Sequence, residues 1–155
     1  MTGLLRTLLR AAACGCLIAA STAAFAAPPP GVRVEHAWIR WLPANLPSAG
    51  YAVIVNAGDA TVRLTGAHSA AYGMVMLHRS MLANSDSRME RVDQLDIPAH
   101  GSVKLAPGGY HLMLSQVKRP IKPGDKVPMT LEFAGGATLQ VFFSVLPANA
   151  SGPAD

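Results

Sequence analysis

Apolar residues occur along this chain in short runs that alternate with polar residues, and Gly, Pro, Asn or Asp separates one run from the next. Alternation of this kind is typical of β-strands with one buried face. A long helical period is absent from the sequence, and at most one helical turn fits near residues 69–72. The pattern therefore predicts an all-β sandwich or barrel, with strands at residues 32–41, 50–56, 61–67, 74–80, 87–94, 102–105, 110–116, 126–133 and 138–146.

One predicted strand indicates which side chains share a face. Along residues 110–116, Tyr110, Leu112 and Leu114 alternate with His111 and Met113. Successive side chains of a strand point to opposite faces of the sheet. Since the apolar face belongs in the core, we expect His111 and Met113 to project together from the other face.

The beginning of the chain has the composition of a secretory signal peptide. Arg6 and Arg10 give a positively charged start, and residues 11–20 form an apolar, Ala-rich segment. Ala24 and Ala26 fit the small-x-small form of a cleavage site. We therefore expect residues 1–26 to be removed on export to the periplasm.

Two other interpretations of this leader have less support. A transmembrane anchor needs about 20 apolar residues, and this apolar segment is shorter. A lipoprotein needs a cysteine to carry the lipid, but neither Cys14 nor Cys16 has Leu three residues before it. We expect no stable membrane insertion of the exported protein.

The 129 residues that follow the predicted cleavage site correspond in length to one domain. Residues 27–31 are rich in Pro and form a flexible lead-in. Residues 32–147 contain all the predicted strands and form the β domain. Residues 148–155 form a polar tail, which we expect to be frayed.

Composition excludes several classes of function. Without the leader the chain has eleven basic and nine acidic residues, a net charge of +2. No basic block survives to bind phosphates, so nucleic acid is not an expected partner. Both cysteines of the sequence lie in the leader. The exported chain therefore cannot use a thiol nucleophile, a Cys-x-x-Cys redox pair, a zinc finger or a blue-copper site.

Four residues of the exported chain form a regular pattern, His78-x10-Met89-x21-His111-x-Met113. Two imidazoles and two thioethers, without a carboxylate or a thiolate, make a soft and neutral set of ligands. Thioethers are poor ligands for Mg, Ca and Mn, and the combined set selects Cu(I). Met is also a common filler of cores, so each of these residues is ambiguous alone. The spacing of all four together indicates a copper site.

These residues make the chain resemble the periplasmic copper chaperone family PCu(A)C, whose pattern has this His and Met spacing. The resemblance extends over about residues 32–146. Its most specific part is the run Pro107-Gly108-Gly109-Tyr110-His111-Leu112-Met113-Leu114. Other similar segments are Ala37-Trp38-Ile39-Arg40, residues 51–58, Leu77-His78-Arg79-Ser80, Met89-Glu90-Arg91-Val92 and Leu131-Glu132-Phe133.

The resemblance implies a cupredoxin-like Greek-key β-sandwich that binds one Cu(I) ion at an exposed site. The family's ligands correspond to His78, Met89, His111 and Met113. It further implies a metallochaperone rather than an enzyme, which passes copper to the CuA centre of cytochrome c oxidase together with Sco-type thiol proteins. We expect a monomer. Some relatives have a second, Cu(II) site in a His- and Met-rich tail, but the tail here contains neither residue type.

The sequence does not decide which methionine sulfur near His78 binds the metal. Met76 and Met81 both flank this histidine. In the predicted strand at 74–80, alternation puts His78 on the same face as Met74 and Met76.

The remaining polar and aromatic candidates are interpreted as structural. We expect three histidines at the surface, two tryptophans in packing roles, a turn before Tyr110, one basic solvated loop and one acidic solvated edge. They are His36, His68 and His100; Trp38 and Trp41; Pro107-Gly108-Gly109; Lys118, Arg119, Lys122 and Lys126; and Glu90, Asp93 and Asp96.

Two rival functions stay open at this stage. A copper sequestration or uptake protein would use the same site without an oxidase client. A secreted β-sandwich interaction module would carry these His and Met residues incidentally. An electron-transfer cupredoxin is disfavoured by the missing Cys, and a hydrolase by the absence from the sequence of a Ser elbow or a carboxylate–His set.

Overall fold

The computed structural model describes residues 26–43, 46–83 and 86–153. In these ranges the chain forms β-strands and one 3-10 turn at Ala134–Gly136, and it contains no α-helix. The predicted all-β class is therefore confirmed. The strands are β1 (Val32–Arg40), β2 (Ser48–Asn56), β3 (Val62–His68), β4 (Tyr72–Ala83), β5 (Asp86–Arg91), β6 (Leu95–Ile97), β7 (Gly101–Leu105), β8 (Tyr110–Val117), β9 (Lys126–Phe133) and β10 (Thr138–Leu146).

The sequence pattern locates most of these strands closely. The predicted strands at 126–133 and 138–146 have the same bounds as β9 and β10. The pattern misses β6, since three residues are too few for alternation to be recognised. The helical turn considered near residues 69–72 is instead a hydrogen-bonded turn, in which the Tyr72 N–H donates to the Ser69 carbonyl (3.4 Å).

The strands form one continuous sheet in the order β5-β4-β8-β2-β1-β10-β9-β3-β6. Only the pairing of β1 with β10 is parallel among the described strands. β1 occupies one edge of β2, and β7 and β8 follow one another along its other edge. This arrangement makes β4, β8, β2 and β1 neighbours, although they are far apart in the chain.

The core is mostly aliphatic, as the low aromatic content of the sequence favours, and it also contains Tyr72, Phe133 and Phe143. Leu112 and Leu114 of β8 are fully buried in it, in agreement with the alternation along that strand. Trp38 and Tyr51 are also buried, at 4% and 5% exposure, but they do not belong to the core cluster. Their chain neighbours, such as Ile39, do belong to it, so the two aromatic side chains lie on the opposite face of β1 and β2. We call this the outer face of the sheet.

The tail after β10 turns back onto the outer face, in contrast to the frayed tail that we expected. The carbonyl of Ala150 accepts a hydrogen bond from the Arg40 guanidinium (3.2 Å). Ser151 and Pro153 line a cavity of about 300 Å³ together with Trp38. The sequence did not indicate this arrangement, because the tail is held by a hydrogen bond from Arg40 and not by an apolar pattern of its own.

The predicted signal peptide lies almost wholly outside the described residues, so its cleavage stays a prediction. At the start of the described chain, Ala26 accepts a hydrogen bond from the Thr138 hydroxyl (3.1 Å). No helix of the described ranges is long and apolar enough to cross a membrane.

Candidate metal centre

The two histidines of the pattern face each other across the β4–β8 ladder. His78 is the register partner of His111, and the next pair on the same face is Met76 with Met113. The imidazole rings of His78 and His111 have their centres 6.0 Å apart and an interplanar angle of 71°. The structure therefore brings three of the four predicted ligands together on the outer face of two neighbouring strands.

The separation of the imidazole rings suits a single metal ion. A metal–imidazole bond of about 2.0 Å allows the centres of two rings on one ion to be at most about 6.5 Å apart. The 6.0 Å between His78 and His111 falls within this limit without a movement of either strand. Thioethers of neighbouring methionines can then complete the coordination of a soft ion.

The turn between β7 and β8 sets the orientation of the His111 ring. The Gly109 N–H donates to the Ala106 carbonyl (3.0 Å), and Gly108 has φ +80°. With Pro107 before it, this is a type II turn, which needs a residue such as Gly at that position. The Gly109 carbonyl then accepts a hydrogen bond from Nδ1 of His111 (3.1 Å). That bond leaves Nε2 as the unprotonated nitrogen, which is the one free to bind a metal.

One predicted ligand of the expected exposed site is itself enclosed. His111 is only 6% exposed. The ring of Tyr51 lies 6.5 Å from it, and Trp38 packs against Tyr51 at 4.7 Å. A buried wall of this kind excludes water from one side of the site. The sequence pattern did not predict this wall, because Tyr51 is brought beside His111 by the register between β2 and β8, and alternation within one strand does not give that register.

His78 is half-buried, and its surroundings favour the neutral form of its imidazole ring. Its Nδ1 is buried and has no hydrogen-bond partner within the described residues. Burial lowers the pKa of His78 from its ordinary value of 6.5, and His111 and Arg91 lower it further. An imidazole must be neutral to bind a metal, so a lowered pKa favours the binding form.

Met89 lies at the open side of the site. It pairs with Ser80 in the β4–β5 ladder. Because Ser80 follows His78 by two residues in β4, Met89 lies on the same outer face as His78. Its side chain is 57% exposed. Within the set of predicted ligands, Met89 is therefore the one most open to solvent, whereas His111 is the most enclosed.

The two other sulfurs near His78 separate by strand alternation. Met76 lies two residues before His78 and shares its face, opposite Met113. Met81 lies three residues after His78 and pairs with Arg88, so it belongs to the other face of β4. The structure thus leaves Met76, and not Met81, beside the predicted ligands.

The remaining residues singled out from the sequence lie elsewhere. His36, His68 and His100 are exposed, and the last two contact Glu132 (2.7 Å) and Asp59 (2.9 Å). Within the described ranges, no group of three or more His, Cys, Asp and Glu side chains could hold a metal ion.

Arg40 is a residue of this region that the sequence analysis did not select. Its guanidinium lies over the rings of Trp38 (5.5 Å) and Tyr51 (5.4 Å). Trp38 therefore has a cation–π partner in addition to the packing role that we assigned to it. Trp38 and Arg40 are two residues apart in β1, so strand alternation already predicts that they share a face. This spacing was the feature of the sequence that could have identified Arg40.

Comparison with known proteins gives a family and a set of similar structures. The family model described as "Putative lipoprotein LpqE-like" matches residues 32–145. A putative lipoprotein of Leifsonia xyli subsp. xyli is 34% identical over 112 residues, which is 72% of this chain and 67% of the relative.

Three solved structures are similar in fold and in sequence. The apo PCuAC domain of PmoF2 is 27% identical with a TM-score of 0.65, and the match covers 79% of this chain and 95% of that domain. The copper-bound PCuAC domain of PmoF2 is 28% identical with a TM-score of 0.63, over 76% and 93%. The Cu(I) form of DR1885 from Deinococcus radiodurans is 31% identical with a TM-score of 0.63, over 81% and 84%. PCuAC domains have a cupredoxin-like fold, so the predicted fold class is confirmed.

Proposed function

The chain belongs to the LpqE-like family, which is the PCuAC family, and we propose that it is a copper-binding chaperone of the cell envelope. It holds one Cu(I) ion through His78, Met89, His111 and Met113. The observation that carries this proposal is the pairing of His78 with His111 across β4 and β8, with Met113 beside them. Similarity to PCuAC domains solved with copper supports the choice of metal.

The arrangement suits a carrier rather than a catalyst. His111 is fixed by the Gly109 carbonyl and walled by Tyr51, whereas Met89 is open to solvent. A partner can therefore displace the Met89 thioether first and take the ion stepwise. Thiolates bind Cu(I) more strongly than thioethers, so transfer to a thiolate site runs downhill. No step of this transfer breaks a covalent bond, so we propose no enzymatic activity.

The proposed client is the CuA centre of cytochrome c oxidase, with Sco-type thiol proteins as partners and the chaperone as a monomer. Deletion of the gene tests this client. Loss of oxidase activity at low copper, restored by added copper, is the expected result. Copper sensitivity with normal oxidase activity would instead favour sequestration or uptake, which the same site could perform.

Copper binding itself separates the chaperone from an interaction module without metal. The apo protein competes with a colorimetric chelator for Cu(I), and we expect it to take one equivalent. His111→Ala and Met113→Ala should compete poorly, whereas the exposed His100→Ala should compete as well as the unmodified protein. Absence of Cu(I) uptake by the unmodified protein would favour the interaction module.

We propose export to the periplasm with cleavage after Ala26. The relatives are named as putative lipoproteins, which supports export and association with the cell envelope. A lipid anchor would require Cys14 or Cys16, and each has Ala rather than Leu three residues earlier. The mass of the exported protein tests this point, since cleavage after Ala26 removes both cysteines. A retained cysteine with an added lipid mass would contradict it.

A further inference from the structure

Three methionines lie together on the outer face beside the histidine pair. Met76 is the register partner of Met113, and Met74 precedes Met76 by two residues opposite Ser115. Directly opposed residues of an antiparallel pair have their Cβ atoms about 4.5–5.5 Å apart. The flexible side chains of Met76 and Met113 can therefore place both sulfurs on one ion.

These methionines are not explained by packing of the core. Val75 and Leu77, which alternate with them in β4, belong to the core or pack against it. Met74, Met76 and Met113 are absent from both groups, although all three lie within the described residues. Met74 is 40% exposed, and Met76 and Met113 are half-buried. Apolar side chains that lie side by side outside the core need another reason for their position.

The methionine pair adjoins the histidine pair along both strands. Met76 precedes His78 by two residues, and Met113 follows His111 by two, so each Met neighbours a His on the same face. Residues two apart in a strand are separated by about 6.6–6.8 Å. Met113 therefore borders both pairs, and its thioether can serve an ion at either position.

We propose that Met76 is a further copper-binding residue, which forms with Met113 a two-thioether position for Cu(I) next to the His78–His111 pair. Met74 extends this position towards solvent. An ion that moves to it exchanges Cu–N bonds for Cu–S bonds, with no change of oxidation state and no proton transfer. The inference rests on the proposed function, because it requires that the histidine pair binds Cu(I).

The test uses the exported protein with 13C-labelled methionine methyl groups and one equivalent of Cu(I) under anaerobic conditions. The methyl signal of Met76 should shift together with that of Met113. The signal of Met81, on the other face of β4, should stay unchanged. Copper affinity is then measured by chelator competition for Met76→Leu and for the matched control Met81→Leu.

Met76→Leu should weaken Cu(I) binding by about twofold, because the ion then loses one of the two positions between which it divides. Met81→Leu should bind as the unmodified protein does. Exchange of Met for Leu conserves volume, and both variants should fold. Either a silent Met76 methyl group or an unchanged affinity of Met76→Leu would overturn this inference alone, provided that the unmodified protein binds Cu(I) and His111→Ala does not. Failure of the unmodified protein to bind would overturn the proposed function as well.

Discussion

The ring of Tyr51 lies 6.5 Å from that of His111 and 4.7 Å from that of Trp38, so the three side chains form a continuous layer on the outer face of the sheet. Arg40 covers this layer, with its guanidinium over both aromatic rings. Burial raises the pKa of the Tyr51 phenol, and Arg40 offsets part of this effect, so the phenol stays neutral at pH 7. The wall behind His111 is therefore aromatic and uncharged at its inner end.

Removal of the Tyr51 ring should weaken copper binding although Tyr51 is not proposed as a ligand. Tyr51→Ala leaves a space beside His111, so the imidazole loses its fixed orientation. We expect the Cu(I) affinity to fall by about tenfold and the free energy of unfolding to fall by about 3–5 kcal/mol. Tyr51→Phe keeps the ring and should bind copper within about twofold of the unmodified protein. Equal copper affinities of the Ala and Phe variants would show that the wall does not position His111.

The bond between copper and His78 should resist acid to a pH below 6.5. A proton competes with the metal for the imidazole, and the pKa of His78 lies below its ordinary value because of burial, His111 and Arg91. The part of the loss of affinity that comes from His78 should therefore begin only as the pH approaches the lowered pKa. Chelator competition between pH 7.5 and 5 measures this, and Arg91→Gln should move the loss towards higher pH. Identical pH profiles for Arg91→Gln and the unmodified protein would contradict this prediction.

The same lowered pKa links His78 to the stability of the apo fold. Below pH 6.5 the unfolded chain binds a proton at this position more readily than the folded chain does. The contribution of His78 to stability is thus complete above about pH 6.5 and is lost as the pH falls towards the lowered pKa.

The sequence predicted most of the strands and the face on which His111 and Met113 lie, because both follow from alternation within single segments. Alternation along β8 separates His111 and Met113 from the buried Leu112 and Leu114. The burial of His111 could not be predicted in this way. It depends on the register that brings Tyr51 of β2 beside β8, and no pattern within one strand contains that register.

The order of the tail, which we expected to be frayed, could not be predicted for a related physical reason. Its residues are small and polar, which indicates disorder when they are considered alone. They are held in place by the hydrogen bond from Arg40 to the Ala150 carbonyl, beside the cavity that Trp38 also lines. The tail is therefore ordered by its contact with the outer face and not by a pattern in its own sequence.

Truncation after Pro147 should therefore expose Trp38. The sequence has only two tryptophans, so Trp38 is the sole fluorophore of its kind in a Trp41→Phe background. We expect a red shift of its emission on truncation. We also expect a loss of about 1–3 kcal/mol in the free energy of unfolding, since a hydrogen bond to a charged group is removed. Unchanged emission and stability would mean that the tail does not cover the aromatic layer in solution.

Asn56 should be the most sensitive polar position of the fold. Its side chain is fully buried, and its amide nitrogen contacts the carbonyls of Ala60 (2.8 Å), Ile97 (3.1 Å) and Pro98 (3.1 Å). Its Oδ1 accepts from the Gly58 N–H (3.0 Å).

Asn56→Asp replaces the amide donor with an oxygen that faces three carbonyls. We expect a loss of about 3 kcal/mol or more in the free energy of unfolding, measured by urea denaturation. Asn149→Asp, in the exposed tail, is a matched control and should change stability by less than about 0.5 kcal/mol. Similar stabilities of the two variants would contradict the role of Asn56.

X-ray absorption at the copper edge, on the exported protein loaded with one equivalent of Cu(I), counts the atoms bound to the metal. We expect a mixed shell of nitrogen and sulfur, with nitrogen lost in His111→Ala and sulfur lost in a variant that has Leu at positions 89 and 113. A shell of nitrogen and oxygen alone, unchanged in these variants, would show that the copper lies somewhere other than between His78 and His111.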